Sequence, residues 1–175
     1  MLRRFIEPDK SAVAARRLYD CLIARAREPI FHTVFAVPDT IDGRFDVLTL
    51  HAFLVLEALK PSGPAGAKLG TELASVIFAG FDDALRELGV GDFGISRRMK
   101  AMAGAFYGRL EAYRAAESES ALASVLACNL YRGEGSHGRE AAALAHYISS
   151  ARGTLQAQAR ALLQGNADFG PLPEL

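Results

Sequence analysis

The chain has 175 residues, of which 50% are hydrophobic and 23% are charged, and its 20 basic residues balance its 20 acidic ones. This length suits a single domain, and the composition is typical of a soluble globular protein rather than of a disordered or fibrous one. A net charge of zero excludes a global electrostatic attraction to nucleic acid, so specific DNA binding is not expected.

Apolar residues recur at three- and four-residue spacing and there is almost no strand signal, which predicts an all-α, single-domain helical bundle of about six to seven helices. Proline, glycine and polar clusters mark the breaks between helices. In chain order we predict an N-terminal arm at 1–10, a helical domain at 11–164 with helices at 11–28, 29–36, 44–59, 69–88, 99–113, 120–131 and 138–164, and a flexible tail at 165–175.

Helix boundaries follow from capping chemistry. Ser11 and Ser96 are predicted N-caps, because a serine hydroxyl accepts hydrogen bonds from the free amides of a first turn. Gly89 is predicted to end a helix, because glycine adopts the left-handed conformation without penalty. The proline- and glycine-rich segment 60–66 is predicted to be a loop. The helix at 44–59 has apolar residues on two faces, so we expect it at the centre of the fold.

One segment imitates two nucleotide-binding motifs. The segment from Gly89 to Gly94 fits the pattern G-x-G-x-x-G. Its last three residues also spell the D-F-G of protein kinases. The first motif works only between a strand and a helix, and the second needs a lysine strand and a catalytic loop. Because the segment follows a predicted helix, both interpretations are excluded.

Charged residues lie inside or next to the apolar helical runs, where an ion needs a partner or a task. The spacing of Asp82 and Asp83 from Arg86 predicts ordinary ion pairs on a helix surface. Asp39 is expected to act in a turn or cap. Arg44 is placed in the first turn of a helix, where it opposes the helix dipole, so we expect a carboxylate such as Asp82 or Asp92 to hold it.

His51 leaves two hypotheses open. Together with Asp82 and Asp83 it can form a metal site or an acid–base pair, if two helices pack so that the three side chains meet. The favoured alternative is a buried histidine whose ring nitrogens are bound by a carboxylate or a carbonyl. Sequence alone does not place these residues in contact, and no metal site is predicted.

A basic cluster is formed by Arg97, Arg98 and Lys100, next to Met99 and Met102. Basic residues beside flexible methionines suit a surface that meets anionic lipid, RNA or a client peptide. An ordinary solvated helix face explains the cluster equally well, so the sequence leaves both interpretations open.

The order and spacing of a larger set of residues resemble the ubiquinol-cytochrome c chaperone family over about residues 12–132. The helix at 138–164 lies outside the part that is recognised. The chain lacks the long N-terminus of mitochondrial members and therefore resembles a bacterial member. The residues that carry the resemblance are Tyr19, Pro38-Asp39-Thr40, Gly43-Arg44-Phe45, Leu50-His51, Asp82, Leu85-Arg86-Glu87, Gly89-Val90-Gly91-Asp92, Lys100 and Phe106-Tyr107-Gly108-Arg109.

The resemblance implies a noncatalytic chaperone that binds newly made cytochrome b and promotes assembly of the respiratory cytochrome bc1 complex, with no cofactor. The polar residues of the motif are expected to be structural or client-binding: Asp39, Arg44, His51, Asp82, Arg86, Asp92 and Arg109. We expect a client groove on the outer face of the helix at 44–59, beside the basic cluster. Its candidate contacts are Phe53, Leu54, Arg97, Arg98, Met99, Lys100 and Met102.

The resemblance also implies partners and a location. Mitochondrial relatives act with a small partner protein and near the ribosome, so both are candidate partners here, together with an anionic membrane surface. The expected location is the cytoplasm, and the alternative is the periphery of the inner membrane. The competing functions are a small metal-binding protein or enzyme that uses His51, Asp82 and Asp83, and an interaction module for ribosome or membrane surfaces.

Overall fold

The structure is a computed structural model that describes residues 9–133 and 136–175. These residues contain no strand, and six of their helices have 13 or more residues, which confirms the predicted all-α bundle. The elements are α1 (Lys10–Ala26), α2 (Ile30–Thr33), α3 (Ile41–Leu59), a 3-10 turn (Lys60–Ser62), α4 (Gly63–Glu87), α5 (Asp92–Ala115), α6 (Glu119–Tyr131), α7 (Gly138–Gln156) and α8 (Ala159–Leu163).

The N-cap of helix α1 lies two residues before the predicted one. The Asp9 carboxylate accepts a hydrogen bond from the amide of Ser11 at 3.0 Å, so Asp9 and not Ser11 is the N-cap. Most of the predicted arm at 1–10 lies outside the described residues. Helix α2 ends at Thr33, earlier than the predicted Ala36, and begins after Pro29.

Helix α3 is the centre of the bundle, as predicted. It packs against α1, α4, α5, α6, α7 and α8, and 14 of its 19 residues are buried. Thr40 caps it by accepting a hydrogen bond from the Gly43 amide at 3.1 Å. Gly43 must lack a side chain here, because a Cβ atom would lie 1.9 Å from the carbonyl oxygen of Pro38. The tight entry of the chain into α3 therefore depends on this glycine.

The predicted loop at 60–66 is wrong, because the 3-10 turn connects α3 directly to α4. Pro61 and Pro64 occupy first-turn positions of the two helical segments. A proline is tolerated at these positions, since the amide that it lacks would have no helical partner there. Composition alone does not distinguish this arrangement from a loop.

The corner between α4 and α5 is shorter than predicted. Gly89 has a φ of 73° and follows the last turn of α4, which confirms it as a helix terminator. Helix α5 then starts at Asp92 with Gly91 as its N-cap, so the predicted cap at Ser96 is wrong and Ser96 lies inside the helix.

The C-terminal prediction needs two corrections. The helix predicted at 138–164 is divided into α7 and α8. The tail predicted to be flexible at 165–175 packs on the bundle, because the Phe169 side chain is only 3% exposed. Arg25 donates a hydrogen bond to the carbonyl of Gly170 at 2.5 Å, and the side-chain amide of Gln158 donates to the carbonyl of Asp168 at 2.9 Å. Burial of one aromatic ring fixes a segment that is otherwise poor in apolar residues.

Candidate functional site

The Arg44 side chain is held by a neighbour in sequence. Its Nε lies 2.6 Å from Oδ1 of Asp39, and both side chains are more than half exposed. The hydrogen bond from Arg44 lowers the pKa of the Asp39 carboxyl group. The prediction that Asp82 or Asp92 holds Arg44 is therefore wrong, because Asp39 in the turn before α3 provides a carboxylate within reach.

Arg86 joins the end of α4 to the start of α5. Its Nε lies 2.6 Å from Asp82, which confirms the predicted pair, and its Nη1 lies 3.0 Å from Asp92. The side chains of Arg86 and Asp92 are 53% and 87% exposed, so these pairs are in contact with solvent. The two contacts join the helices on either side of the corner, but ion pairs this exposed contribute little to stability.

His51 is fully buried inside the bundle. Its Nδ1 lies 2.8 Å from the carbonyl oxygen of Val47, and its Nε2 lies 2.9 Å from Oη of Tyr147. Because a carbonyl only accepts, Nδ1–H donates to Val47 and Nε2 accepts from the Tyr147 hydroxyl. Burial lowers the pKa of His51 to about 4, so the ring is neutral at physiological pH. The hypothesis of a buried histidine bound to a carbonyl is confirmed.

This geometry counts against the metal or acid–base hypothesis. Both ring nitrogens of His51 are engaged, and Asp82 is paired with Arg86. Among residues 9–133 and 136–175, no three His, Cys, Asp or Glu side chains are grouped so that they could hold a metal ion.

Sequence analysis missed a buried carboxylate on α3. Asp46 is 0% exposed, and its Oδ1 lies 2.8 Å from Nε of Arg109 on α5, although neither atom has a well-aligned hydrogen-bond partner. Arg132, at the end of α6, approaches Oδ2 of Asp46 at 3.5 Å. Burial raises the pKa of Asp46 to about 6, and the two arginines oppose this rise. The signal in the sequence was an aspartate within the most apolar helix.

Arg109 contacts an aromatic ring as well as the carboxylate. Its guanidinium lies 5.2 Å from the centre of the Phe45 ring, which packs on Phe81 with a ring separation of 5.1 Å. This cation–π contact and the ion pair to Asp46 connect α3 with α4 and α5. Arg109 is therefore part of the core rather than of an exposed site.

An apolar opening lies where α1, α3 and α4 meet, and we call it the α1/α3/α4 cleft. Its volume is about 370 Å³, and an adjoining depression of about 480 Å³ shares part of its wall. The buried rings and side chains at its base come from three helices, and Met102 of α5 closes one side. The residues that line it include Tyr19, Ile23, Ile41, Phe45, Leu48, Phe81, Leu85, Leu88 and Met102.

The cleft has an apolar wall and a rim of mixed charge. Ile41 is 47% exposed and Leu88 is 57% exposed, so both present aliphatic surface to solvent at its edge. Arg44 and Asp83 lie on the rim with opposite charges. Such a surface suits an apolar polypeptide segment better than a small charged substrate.

Comparisons with known proteins identify the family. The family model for the ubiquinol-cytochrome C chaperone matches residues 33–169. The chain belongs to this family. The crystal structure of the Cbp3 homolog from Brucella abortus has a TM-score of 0.82 and 37% sequence identity, over 93% of this chain and 91% of that chain. The predicted likeness to a bacterial member is therefore confirmed.

A curated relative of the family is more distant. The ubiquinol-cytochrome-c reductase complex assembly factor 1 of Xenopus laevis is 25% identical over 104 residues, which are 59% of this chain and 52% of the relative. The chain spans about half the length of this curated relative. The family match reaches into the C-terminal helices, so the recognised range of 12–132 was too short at that end.

The predicted client contacts of this family member divide into two groups. Phe53 and Leu54 are each 1% exposed, so they are wrong as surface contacts. The reason is that other helices enclose α3 on all sides around Phe53 and Leu54. The basic cluster of Arg97, Arg98 and Lys100 is exposed on α5, whereas Met99 and Met102 are half-buried against the core.

Proposed function

We propose that this chain is a noncatalytic chaperone that binds newly made cytochrome b and promotes assembly of the cytochrome bc1 complex. The observation that carries the proposal is the family match over residues 33–169. The similarity to an assembly factor of the ubiquinol-cytochrome-c reductase complex supports the same process.

The α1/α3/α4 cleft is the proposed client site. Before assembly, a newly made membrane protein exposes apolar segments that need a temporary partner, and contiguous apolar surface is the usual feature that binds them. The cleft offers such surface at Ile41 and Leu88, over a base of buried apolar side chains. The proposed client groove thus lies at the first turn of α3 and not on the faces around Phe53.

The noncatalytic role is supported by the engagement of the polar motif residues. Arg44 and Arg86 pair with nearby aspartates, and Arg109 pairs with Asp46. His51 uses both nitrogens within the core. These side chains stabilise the bundle that forms the cleft, and general acid–base work would require at least one of them to face a bound substrate.

The first test is deletion of the gene in its host. Cytochrome b and assembled bc1 complex would be quantified while cytochrome b messenger RNA is monitored. We expect loss of the protein and of the complex with the message intact. Normal levels of assembled complex in the deletion strain would overturn the proposal.

The second test asks whether the cleft is the client site. The deletion strain would be complemented with Ile41→Asp or with the matched control Val34→Asp, since Ile41 and Val34 are 47% and 42% exposed but only Ile41 lines the cleft. We expect Ile41→Asp to reduce assembled complex and Val34→Asp to restore it. The fold of both variants would be checked by circular dichroism. Equal restoration by two folded variants would move the client site elsewhere.

A further inference from the structure

The corner between α4 and α5 presents apolar side chains to solvent. Phe93 is 98% exposed, and Leu88 on the other side of the turn is 57% exposed. Between them lie two glycines, Gly89 and Gly91, together with the half-buried Val90 and the exposed Asp92. An isolated exposed leucine needs no explanation, but an almost completely exposed phenylalanine at a protruding turn does.

Basic side chains continue from this corner along α5. Phe93, Arg97 and Lys100 are separated by four and three residues, so they lie on one face of the helix, and all three are exposed. Between Asp92 and Glu111, the helix contains no acidic residue. We call this exposed stripe the outward face of α5.

The acidic groups closest to the corner are partly neutralised. Asp92 lies 3.0 Å from Arg86, which also pairs with Asp82. Asp83 and Glu87 are exposed near the end of α4, and both line the rim of the α1/α3/α4 cleft. The positive charge of Arg97 and Lys100 is therefore the dominant charge on the outward face of α5, although the chain as a whole is neutral.

We propose that the α4–α5 corner and the outward face of α5 bind the surface of a bilayer that contains anionic phospholipid. Phe93 enters the interfacial region beside Leu88, while Arg97 and Lys100 contact lipid phosphates. An apolar tip flanked by basic residues is the arrangement that binds such interfaces, and charge complementarity supplies the selectivity for anionic lipid.

One observation favours a bilayer over RNA as the partner. The apolar tip includes the aliphatic Leu88, which partitions into an interface but cannot stack on a base as an aromatic ring does. In the part of the chain that the structure describes, no helix is long and apolar enough to cross a membrane. This inference goes beyond the proposed chaperone function and does not depend on it.

The charge contribution would be tested by co-flotation of the full chain with vesicles. The vesicles would contain phosphatidylcholine alone or with phosphatidylglycerol. The variant Arg97→Gln/Lys100→Gln would be compared with Arg139→Gln/Arg160→Gln, which removes two exposed basic residues from α7 and α8. We expect the first variant to lose about 30-fold in partition onto anionic vesicles at low salt, since each basic residue at such a surface contributes about fivefold.

The control variant should retain the partition of the parent chain, and added salt should weaken binding because it screens exposed charges. Equal losses in the two double variants would overturn the proposal, since they would indicate attraction by any basic residue. Absence of binding to anionic vesicles would also overturn it. If single-stranded RNA binds instead and only Arg97→Gln/Lys100→Gln weakens that binding, the surface is one for RNA and the proposal is wrong.

The insertion of the corner would be tested by fluorescence. The chain contains no tryptophan, so Phe93→Trp creates a single reporter, and Val34→Trp creates a control at a position that is 42% exposed away from α5. We expect a blue shift of Phe93→Trp when phosphatidylglycerol vesicles are added and none for Val34→Trp. Identical spectra of Phe93→Trp with and without vesicles would show that the corner stays in water and would overturn the proposal.

Discussion

The ion pair of Asp46 with Arg109 and the ion pair of Asp82 with Arg86 have similar lengths but different surroundings. The distances are 2.8 Å and 2.6 Å. The first pair is 0% and 16% exposed, whereas the second is 33% and 53% exposed. Water can replace either partner at the corner between α4 and α5, but not inside the bundle. Burial rather than distance therefore determines which pair the fold depends on.

Burial also changes the pKa of the carboxyl group in the buried pair. Burial raises the pKa of Asp46 to about 6 against the effect of two arginines, so its charged form is costly even when it is paired. The arrangement fixes which helices meet, because only Arg109 and Arg132 approach this carboxylate among the described residues. We infer that the buried pair specifies the packing of α3, α5 and α6 more than it adds stability.

The largest expected effect comes from breaking the buried pair on one side. Asp46→Ala leaves the guanidinium of Arg109 without its carboxylate in a site that is 16% exposed. Removing one partner of a buried pair typically destabilises a protein by about 3 kcal/mol or more. We expect a loss of this size in the free energy of unfolding, measured by urea denaturation at neutral pH. Asp46→Asn, which keeps the shape of the side chain, is the control and should lose less.

The next effect is expected from His51 and depends on pH. The folded-state pKa of His51 is about 4, below its ordinary value of 6.5, so the unfolded chain binds more protons between these values. The stability that neutral His51 provides is present above pH 6.5 and is lost as the pH falls through about 4. The full loss would be about 3 kcal/mol.

Asp46 acts in the opposite direction over much of the same range. Its folded-state pKa of about 6 lies above its ordinary value of 3.8, so its contribution is greatest below the ordinary value and is lost as the pH rises through 6. The two contributions oppose each other in the parent chain. His51→Gln removes the His51 contribution and keeps that of Asp46. We therefore expect this variant to gain stability relative to the parent as the pH falls from 6 to 4. Urea denaturation across this range checks the sign, and parallel profiles would contradict it.

The elements that sequence could predict are those with local causes. The three- and four-residue spacing predicted the long helices, and Gly89 ended one because its conformation is a property of the residue itself. The pair of Asp82 with Arg86 was predictable, because residues four apart on a helix are neighbours. The burial of His51 followed from its position in the most apolar helix.

The remaining features depend on distant parts of the chain. Asp46 and Arg109 are on different helices, and no periodicity relates them. Phe53 and Leu54 were assigned to a client surface because α3 is more apolar than a single packing face requires. Its excess apolar surface is instead covered by six other helices, and only the tertiary arrangement shows this. The burial of Phe169 in the tail has the same explanation.

The smallest expected effect comes from the exposed pair. In Arg86→Gln, water solvates Asp82 and Asp92 as well as the guanidinium did, and added salt already weakens the pairs in the parent chain. We expect a change in the urea midpoint far smaller than that of Asp46→Ala, and no difference between Arg86→Gln and the parent at high salt. A large, salt-independent fall in the urea midpoint would mean that Arg86 stabilises the corner although its ion pairs are exposed. The contrast between buried and exposed pairs would then fail for this fold, because the angle between α4 and α5 would depend on a solvated contact.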